Sequence, residues 1–275
     1  MSVQWKKYFF TIREIYESGS EDEDEELSKA DMYYYYQQPK LIGLDKWCAI
    51  HKKFLTLCVD LNKTEEQLRK ALNRTTRYQI NRGSRDELSI NTIREPSLED
   101  INEFKTFYNA FSRDKGIELF REDRVRGLKL SGMLVMTYVC HKDGRKLAGH
   151  LYIANGKRAT MLYSCSGRFA NTDIPNIEIG RANRYLHWHD MLFFKEQNYK
   201  TYDFLGLSLN VDDRDHQNIN KFKKGFGGEE VIEYQSFIPK TLRGRLLVLI
   251  LKVKWRNQFE LIKRKKAYLE LATKK

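Results

Sequence analysis

At 275 residues, with 41% hydrophobic and 13% aromatic content, the chain can bury one large core or two small ones and lies far from disordered or fibrous compositions. Lys and Arg number 49 against 37 Asp and Glu, and the formal charge of +12 favours an anionic partner: a nucleotide, coenzyme A, nucleic acid or a lipid headgroup. Cys48, Cys58, Cys140 and Cys165 form no CxxC pair and have no histidine at zinc spacing, so no metal is expected and the thiols read as reduced and structural. No signal-peptide pattern opens the chain and no apolar run approaches the roughly 20 residues that cross a bilayer, which makes the chain cytoplasmic by expectation.

Residues 17–31 hold a dense acidic block, Glu21 to Glu26, with little to bury; it reads as a mobile surface loop, solvated or docked on the chain's own basic surface. Tyr33 to Tyr36 resume order as a strand, and a second strand is expected over 55–61. Thr64 and Gln67 have capping-box spacing for one helix running to Arg82 and stopped by Gly83. Its basic flank, Arg69, Lys70, Arg74, Arg77 and Arg82, is either a solvated face or part of a phosphate-binding surface.

Beyond it the pattern predicts a strand over 88–93, helices over 97–111 and 121–130, and strands over 133–140, 147–154 and 159–165, with turns at 142–145 and at Asn155-Gly156. That is an antiparallel meander. After an irregular segment to Gly180, an amphipathic helix is expected from about 183 to 196, then a strand over 202–205, an Asn-capped helical turn within 218–228, and a strand over 231–237. The tail from 240 to 275 reads as a basic helix with Leu246 to Leu251 apolar all round. Packing on the domain, packing on a dimer partner and attachment to an anionic membrane surface all remain open for it. The fold class is α+β, divided into an N-terminal extension (1–54), a central domain (55–238) and the C-terminal helix (239–275).

Three stretches, KLAGHLYIA (146–154), NRYLHWHDMLFFKEQNYKTYDFLG (183–206) and INKFKKGFGGEEV (219–231), together with this element order, resemble the GNAT acyltransferase superfamily and in particular its FemABX-like branch. The resemblance covers roughly 55–238 and implies a GNAT-like mixed, largely antiparallel sheet with helices on both faces. It also implies that Gly180, Arg181, Ala182 and Asn183 open a helix whose free N–H groups hold the pyrophosphate of acyl-CoA, although Ile177 stands where the pattern has Gln or Arg. A helix N-terminus attracts an anion in any case, and Arg181 adds a charge-assisted hydrogen bond.

Phe222 and Lys223 match the branch's Phe-Lys pair. The resemblance implies that Lys223 stabilises charge on the acyl carbonyl, worth about 3 kcal/mol in the barrier, with Phe222 as a wall of the cofactor pocket. A base for the acceptor amine is sought in Asp203 first and in His189, with His150 and His187 as further candidates. Arg74, Arg77, Arg82 and Tyr163 are expected to receive the acceptor substrate.

The expected activity is therefore transfer of an acyl group from acyl-CoA to the amine of an amino sugar, nucleotide-linked, in surface-polysaccharide biosynthesis. Two alternatives stay open: aminoacyl-tRNA-dependent transfer onto a peptidoglycan precursor, and a non-catalytic module that binds nucleic acid or a membrane. A homodimer and a peripheral membrane contact are the further partners expected, with nucleic acid ranked after them.

Overall fold

The computed structural model describes residues 1–16, 29–46 and 48–263. In chain order these form strands β1 (Ser2–Lys7), β2 (Phe10–Ile15), β3 (Met32–Gln38) and β4 (Ile50–Asp60), then helices α1 (Glu65–Ala71) and α2 (Arg74–Gly83). Strand β5 (Ser89–Arg94) precedes helices α3 (Leu98–Lys115) and α4 (Glu122–Leu130) and the meander β6 (Leu134–Cys140), β7 (Lys146–Ala154) and β8 (Arg158–Ser166). Helix α5 (Asn176–Glu196), strand β9 (Thr201–Gly206), helix α6 (Arg214–Lys224), strand β10 (Glu229–Pro239) and helix α7 (Leu242–Trp255) complete the order. This is the expected α+β class. Most of the acidic block (17–28) and the end of the basic tail (264–275) lie outside the described residues.

Four helix boundaries depart from the sequence pattern. The helix expected over 64–82 is two helices: Thr64 and Gln67 do form the capping box, but Leu72 is extended and Asn73 caps a new helix by accepting from the Thr76 N–H. Helix α5 begins at Asn176, about two turns before residue 183, because Pro175 presets the entry and needs no N–H there. Helix α6 starts at Arg214 rather than around Asn218, with Asp213 accepting from the His216 N–H at 3.1 Å. At the C-terminus the helix stops at Trp255, and residues 256–263 are not helical.

Two compact units divide the chain: Met1–Thr56 with Gly206–Gln217 and Glu230–Lys275, and Leu57–Leu205 with Asn218–Glu229. In the first, β1 and β2 form an antiparallel hairpin, β2 pairs β3 in parallel, and β3 pairs β10 antiparallel. Its buried carboxylate, Glu14, accepts from Trp5 Nε1 at 3.1 Å and from the Tyr16 hydroxyl at 2.7 Å, as a charge removed from water requires.

In the second unit β5, β6, β7 and β8 pair antiparallel in sequence, and β8 pairs β9 in parallel. Period-two alternation decides what each face meets. Val139 of β6 and Ala148 of β7 turn to α5 and pack with Ile179, Ala182 and Leu186. Tyr138 and Gly149 turn the other way, towards α3, where the Phe104 ring lies 5.9 Å from that of Tyr138. A Cβ at Gly149 would come within 2.8 Å of Tyr138, so glycine makes room for the ring. Helices thus cover both faces of this meander.

The exit from α6 is fixed by glycine. Gly225 accepts from the Asn73 N–H at 3.0 Å, and a Cβ on it would sit 2.6 Å from Thr76 Oγ1. Gly228 has φ +94° and would bring a Cβ to 2.6 Å from the Cys58 carbonyl oxygen. Gly228→Ala is expected to cost about 1–3 kcal/mol, read as a lower denaturant midpoint with an unchanged slope.

Candidate active site

The last turn of α6 lays Phe222 against α5 and Lys223 against the end of β9. Lys223 Nζ donates to the Leu205 carbonyl at 3.1 Å. Leu205 has φ +59°, the left-handed region that a branched side chain rarely occupies. Asp203 holds this turn: its Oδ1 accepts from the Leu205 N–H at 2.8 Å, and its Oδ2 accepts from Arg158 Nη2 at 2.8 Å and Nε at 3.1 Å. Although Lys223 keeps some surface, its ammonium lies deep enough that burial pulls it down to about 8, against the opposing attraction of Asp203.

Behind Phe222 lies a polar chain between α5 and the strands. His187, whose ring centroid is 5.5 Å from that of Phe222, shares a 2.9 Å hydrogen bond between Nδ1 and the Tyr202 hydroxyl. The Tyr202 and Tyr152 hydroxyls are 2.7 Å apart, and Tyr152 donates to Asp190 at 2.6 Å. Asp190 also meets His150 Nδ1 at 2.7 Å and Thr137 Oγ1 at 3.0 Å, while His150 Nε2 meets Asn183 Oδ1 at 3.0 Å. Burial drives the His187 pKa well below its ordinary value, helped by the positive charges of Lys223 and Arg184, so the ring is neutral. Its Nε2 is buried and has no hydrogen-bond partner among the described residues.

Arg184 sits on the same side of α5. Its guanidinium lies 4.7 Å over the Phe222 ring, Nη1 donates to the Gly180 carbonyl at 3.2 Å, and buried Nε has no partner among the described residues. Burial lowers its pKa, and the charge of Arg168 adds to the effect. A Cβ at Gly180 would stand 3.0 Å from Arg168 Nη2 and 3.8 Å from Arg184 Nη1, so glycine leaves space in which the two guanidinium groups approach. Neither pairs with a carboxylate among the described residues. Like charges gathered without a counter-charge, beside an orphaned ring nitrogen and a dry ammonium, form a place for an anion or a developing oxyanion.

The expected site residues separate into those gathered here and those held elsewhere. Lys223, Phe222 and Asp203 are gathered, but Asp203 is fully buried and engaged by Arg158 and the Leu205 N–H, which makes it a brace rather than a free base. His189 stands two residues from His187 on α5, roughly 200° around the helix. It lines a cavity of about 330 Å³ with Arg69, Trp188 and Glu196, so His187 is the histidine that meets Phe222. Gly180, Arg181, Ala182 and Asn183 lie inside α5, where the N–H groups join the helical ladder instead of facing an anion. Arg181 is buried and tied to Asp86 at 2.8 Å.

The acceptor set also disperses. Arg77 donates to the Leu72 and Lys70 carbonyls at 2.9 and 3.2 Å, closing the end of α1, while Arg82 reaches the Tyr78 hydroxyl at 3.4 Å and Arg74 is exposed in the first turn of α2. Tyr163 accepts from the Arg121 N–H at 3.0 Å within an aromatic cluster, its ring 4.7 Å from Tyr108 and 4.9 Å from Phe120. Sequence reasoning missed Arg168 and Arg184; for Arg184 the signal was its place one turn after Gly180, and for Arg168 there was none. Among the described residues, no cluster of His, Cys, Asp or Glu could hold a metal ion, and no helix is long and apolar enough to cross a membrane.

A model of the FemAB family matches residues 136–235, which include most of β6, all of β7 to β9, α5 and the Phe222-Lys223 pair. No curated protein sequence matches the chain. Among solved structures, L-PGS from Bacillus licheniformis aligns with TM-score 0.54 at 16% identity over 90% of this chain and 84% of its own. The C-terminal domain of a putative lysylphosphatidylglycerol synthetase from Agrobacterium fabrum aligns with TM-score 0.52 at 16% identity, over 81% and 72% respectively. FemX aligns with TM-score 0.54 at 13% identity over 72% of this chain and 64% of its own. At these identities the likeness is one of fold, and that fold is GNAT-like.

Proposed function

We infer that the chain is an aminoacyl-tRNA-dependent transferase that moves an aminoacyl group onto the amine of a peptidoglycan precursor. The start of α5 is the observation that carries the choice of donor. The residues that would cradle the pyrophosphate of acyl-CoA lie within the helix, and Arg181 is committed to Asp86. Arg168 and Arg184, which have no carboxylate partner among the described residues, offer charge to phosphate groups instead. The FemAB match and the likeness to lysylphosphatidylglycerol synthetases support the same reading.

In this reaction the acceptor nitrogen attacks the ester carbonyl carbon of the charged tRNA. Lys223, protonated at neutral pH, donates to the oxyanion as the tetrahedral intermediate forms. The intermediate collapses with cleavage of the bond to the ribose oxygen, and the amine's proton ends on that oxygen. Asp203 and Leu205 keep the ammonium in place.

The test compares donors. Charged tRNA should bind with a steep salt dependence, log K falling with log salt at a slope of about −0.7 to −0.9 per phosphate contact, and should support transfer. Arg168→Ala and Arg184→Ala are each expected to weaken binding about tenfold or more, as loss of a charge-assisted hydrogen bond implies. Saturable, salt-tolerant acyl-CoA binding with transfer to a nucleotide-linked amino sugar would replace this reading with the acyl-CoA-dependent one.

A further inference from the structure

Helix α7 has two apolar faces. At roughly 100° per residue, Gly244, Leu247, Val248, Leu251 and Trp255 fall on one side, and Leu242, Leu246, Leu249, Ile250 and Val253 fall opposite in an arc of roughly 100°. The first face packs on its unit, with Leu247 and Val248 buried. The second is bare, each of its five residues between 50% and 78% exposed. Arg243 and Lys254 line one border between the faces, Arg245 and Lys252 the other, and the helix contains no acidic residue.

The orientation is locked. Thr241 caps the helix by accepting from the Gly244 N–H at 3.1 Å and donates to Asp31 Oδ1 at 2.6 Å. A Cβ on Gly244 would lie 1.8 Å from the Asp31 carbonyl oxygen, so the buried face cannot rotate outward and the bare one cannot rotate in. Beside the start of the helix stands the β1–β2 hairpin tip, with Tyr8 85% and Phe9 63% exposed and Tyr8 at φ +55°. The tip and the helix enclose a cleft of about 590 Å³ lined by Lys6, Lys29, Leu242 and Arg243, with Asp31 engaged at its floor.

We propose that this face, α7 with the Tyr8-Phe9 tip, docks the protein on an anionic lipid surface, the aliphatic arc entering the acyl boundary and the basic borders meeting the headgroups. An amphipathic helix with lysine and arginine beside its apolar face lies in a membrane interface in this way, and exposed aromatic rings anchor at the same depth. Helix α7 has 14 residues, roughly 21 Å, too short for the roughly 30 Å hydrocarbon core, so it lies on the bilayer rather than across it. A second copy seated on this face would oppose its own Arg and Lys borders with no acid to answer them. Nucleic acid has no use for an aliphatic centre. The proposal does not depend on the donor or acceptor assigned above.

Flotation of the full chain with vesicles tests it. The protein should float with phosphatidylcholine vesicles containing phosphatidylglycerol, remain behind with phosphatidylcholine alone, and be released by salt. Leu246→Glu with Leu249→Glu should lower the bound fraction at least about tenfold without changing the thermal midpoint, since both residues are exposed. Tyr8→Ser with Phe9→Ser, at the other end of the patch, should weaken it separately. No phosphatidylglycerol-dependent flotation, or flotation that survives both double variants, overturns the proposal. So does a solution dimer that Leu246→Glu with Leu249→Glu dissociates, because a second copy would then be the occupant.

Discussion

Lys223→Met should produce a protein that turns over about 10²–10³-fold more slowly and yet unfolds at a higher temperature at pH 7. The first effect follows from removing an ammonium aimed at the oxyanion, a group whose contribution arises only in the transition state, so kcat falls with little change in KM. The second follows from the cost of keeping that ammonium dry. A pKa drawn down from 10.5 to about 8 corresponds to roughly 3 kcal/mol against the charged form. Methionine fills the space without the charge but forfeits the hydrogen bond to the Leu205 carbonyl, about 1 kcal/mol, so the net gain is about 1–2 kcal/mol. For a chain of this size that is a rise of several degrees in melting temperature, readable by calorimetry.

The pH dependence separates the roles open to Lys223. Between about 8 and 10.5 the folded lysine has released a proton that the unfolded chain still holds, so stability rises with pH across that window. Below about 8 both states hold the proton and the penalty is fully present. Lys223→Met should lack the rise. Activity should move in the opposite direction, falling as pH passes about 8, because the neutral amine no longer donates. A rate that instead climbs through 8 would identify Lys223 as a general base.

Where the signal was local, the sequence disclosed it. Asn155 and Gly156 announced the hairpin, and Asn155 Oδ1 does accept from the Arg158 N–H at 2.7 Å with Gly156 at φ +86°. Thr64 and Gln67 form the capping box that their spacing predicts. The Phe222-Lys223 pair stood out through its resemblance to the Phe-Lys pair of the FemABX-like branch. What stayed hidden depends on pairing across long separations. Arg181 looks like an anion ligand until Asp86, 95 residues away in sequence, neutralises it, and Arg184 looks like a solvated arginine until the fold buries its Nε with no partner among the described residues. In α7 a run that is apolar all round conceals two separate stripes, because the period alone does not say which one is covered.

Asp190→Ala should be the most destabilising single substitution in the second unit, by about 3–5 kcal/mol and roughly ten degrees of melting temperature. Burial opposes the charge on Asp190, but hydrogen bonds from His150, His189 and Tyr152 outweigh it and hold the carboxyl below its ordinary range. Alanine leaves His150, Tyr152 and Thr137 without that acceptor in a space that excludes water. The stability that Asp190 contributes is fully present above the unfolded value near 3.9 and is lost as pH falls through the lower folded one. Neutral His187 adds a second acid limb at higher pH: below roughly 6.5 the unfolded chain takes up a proton that the buried ring refuses, so stability falls as pH falls. Asp190→Ala should therefore flatten the lower limb and leave the upper one. Asp190→Asn keeps an acceptor for Tyr152 and should lose less stability. If this chain also sets the tautomer of His187, whose Nε2 stands unpartnered beside Phe222, turnover per folded molecule should fall in Asp190→Asn while KM holds. Unchanged turnover there would make the network a structural support for α5 and leave Lys223 to act alone.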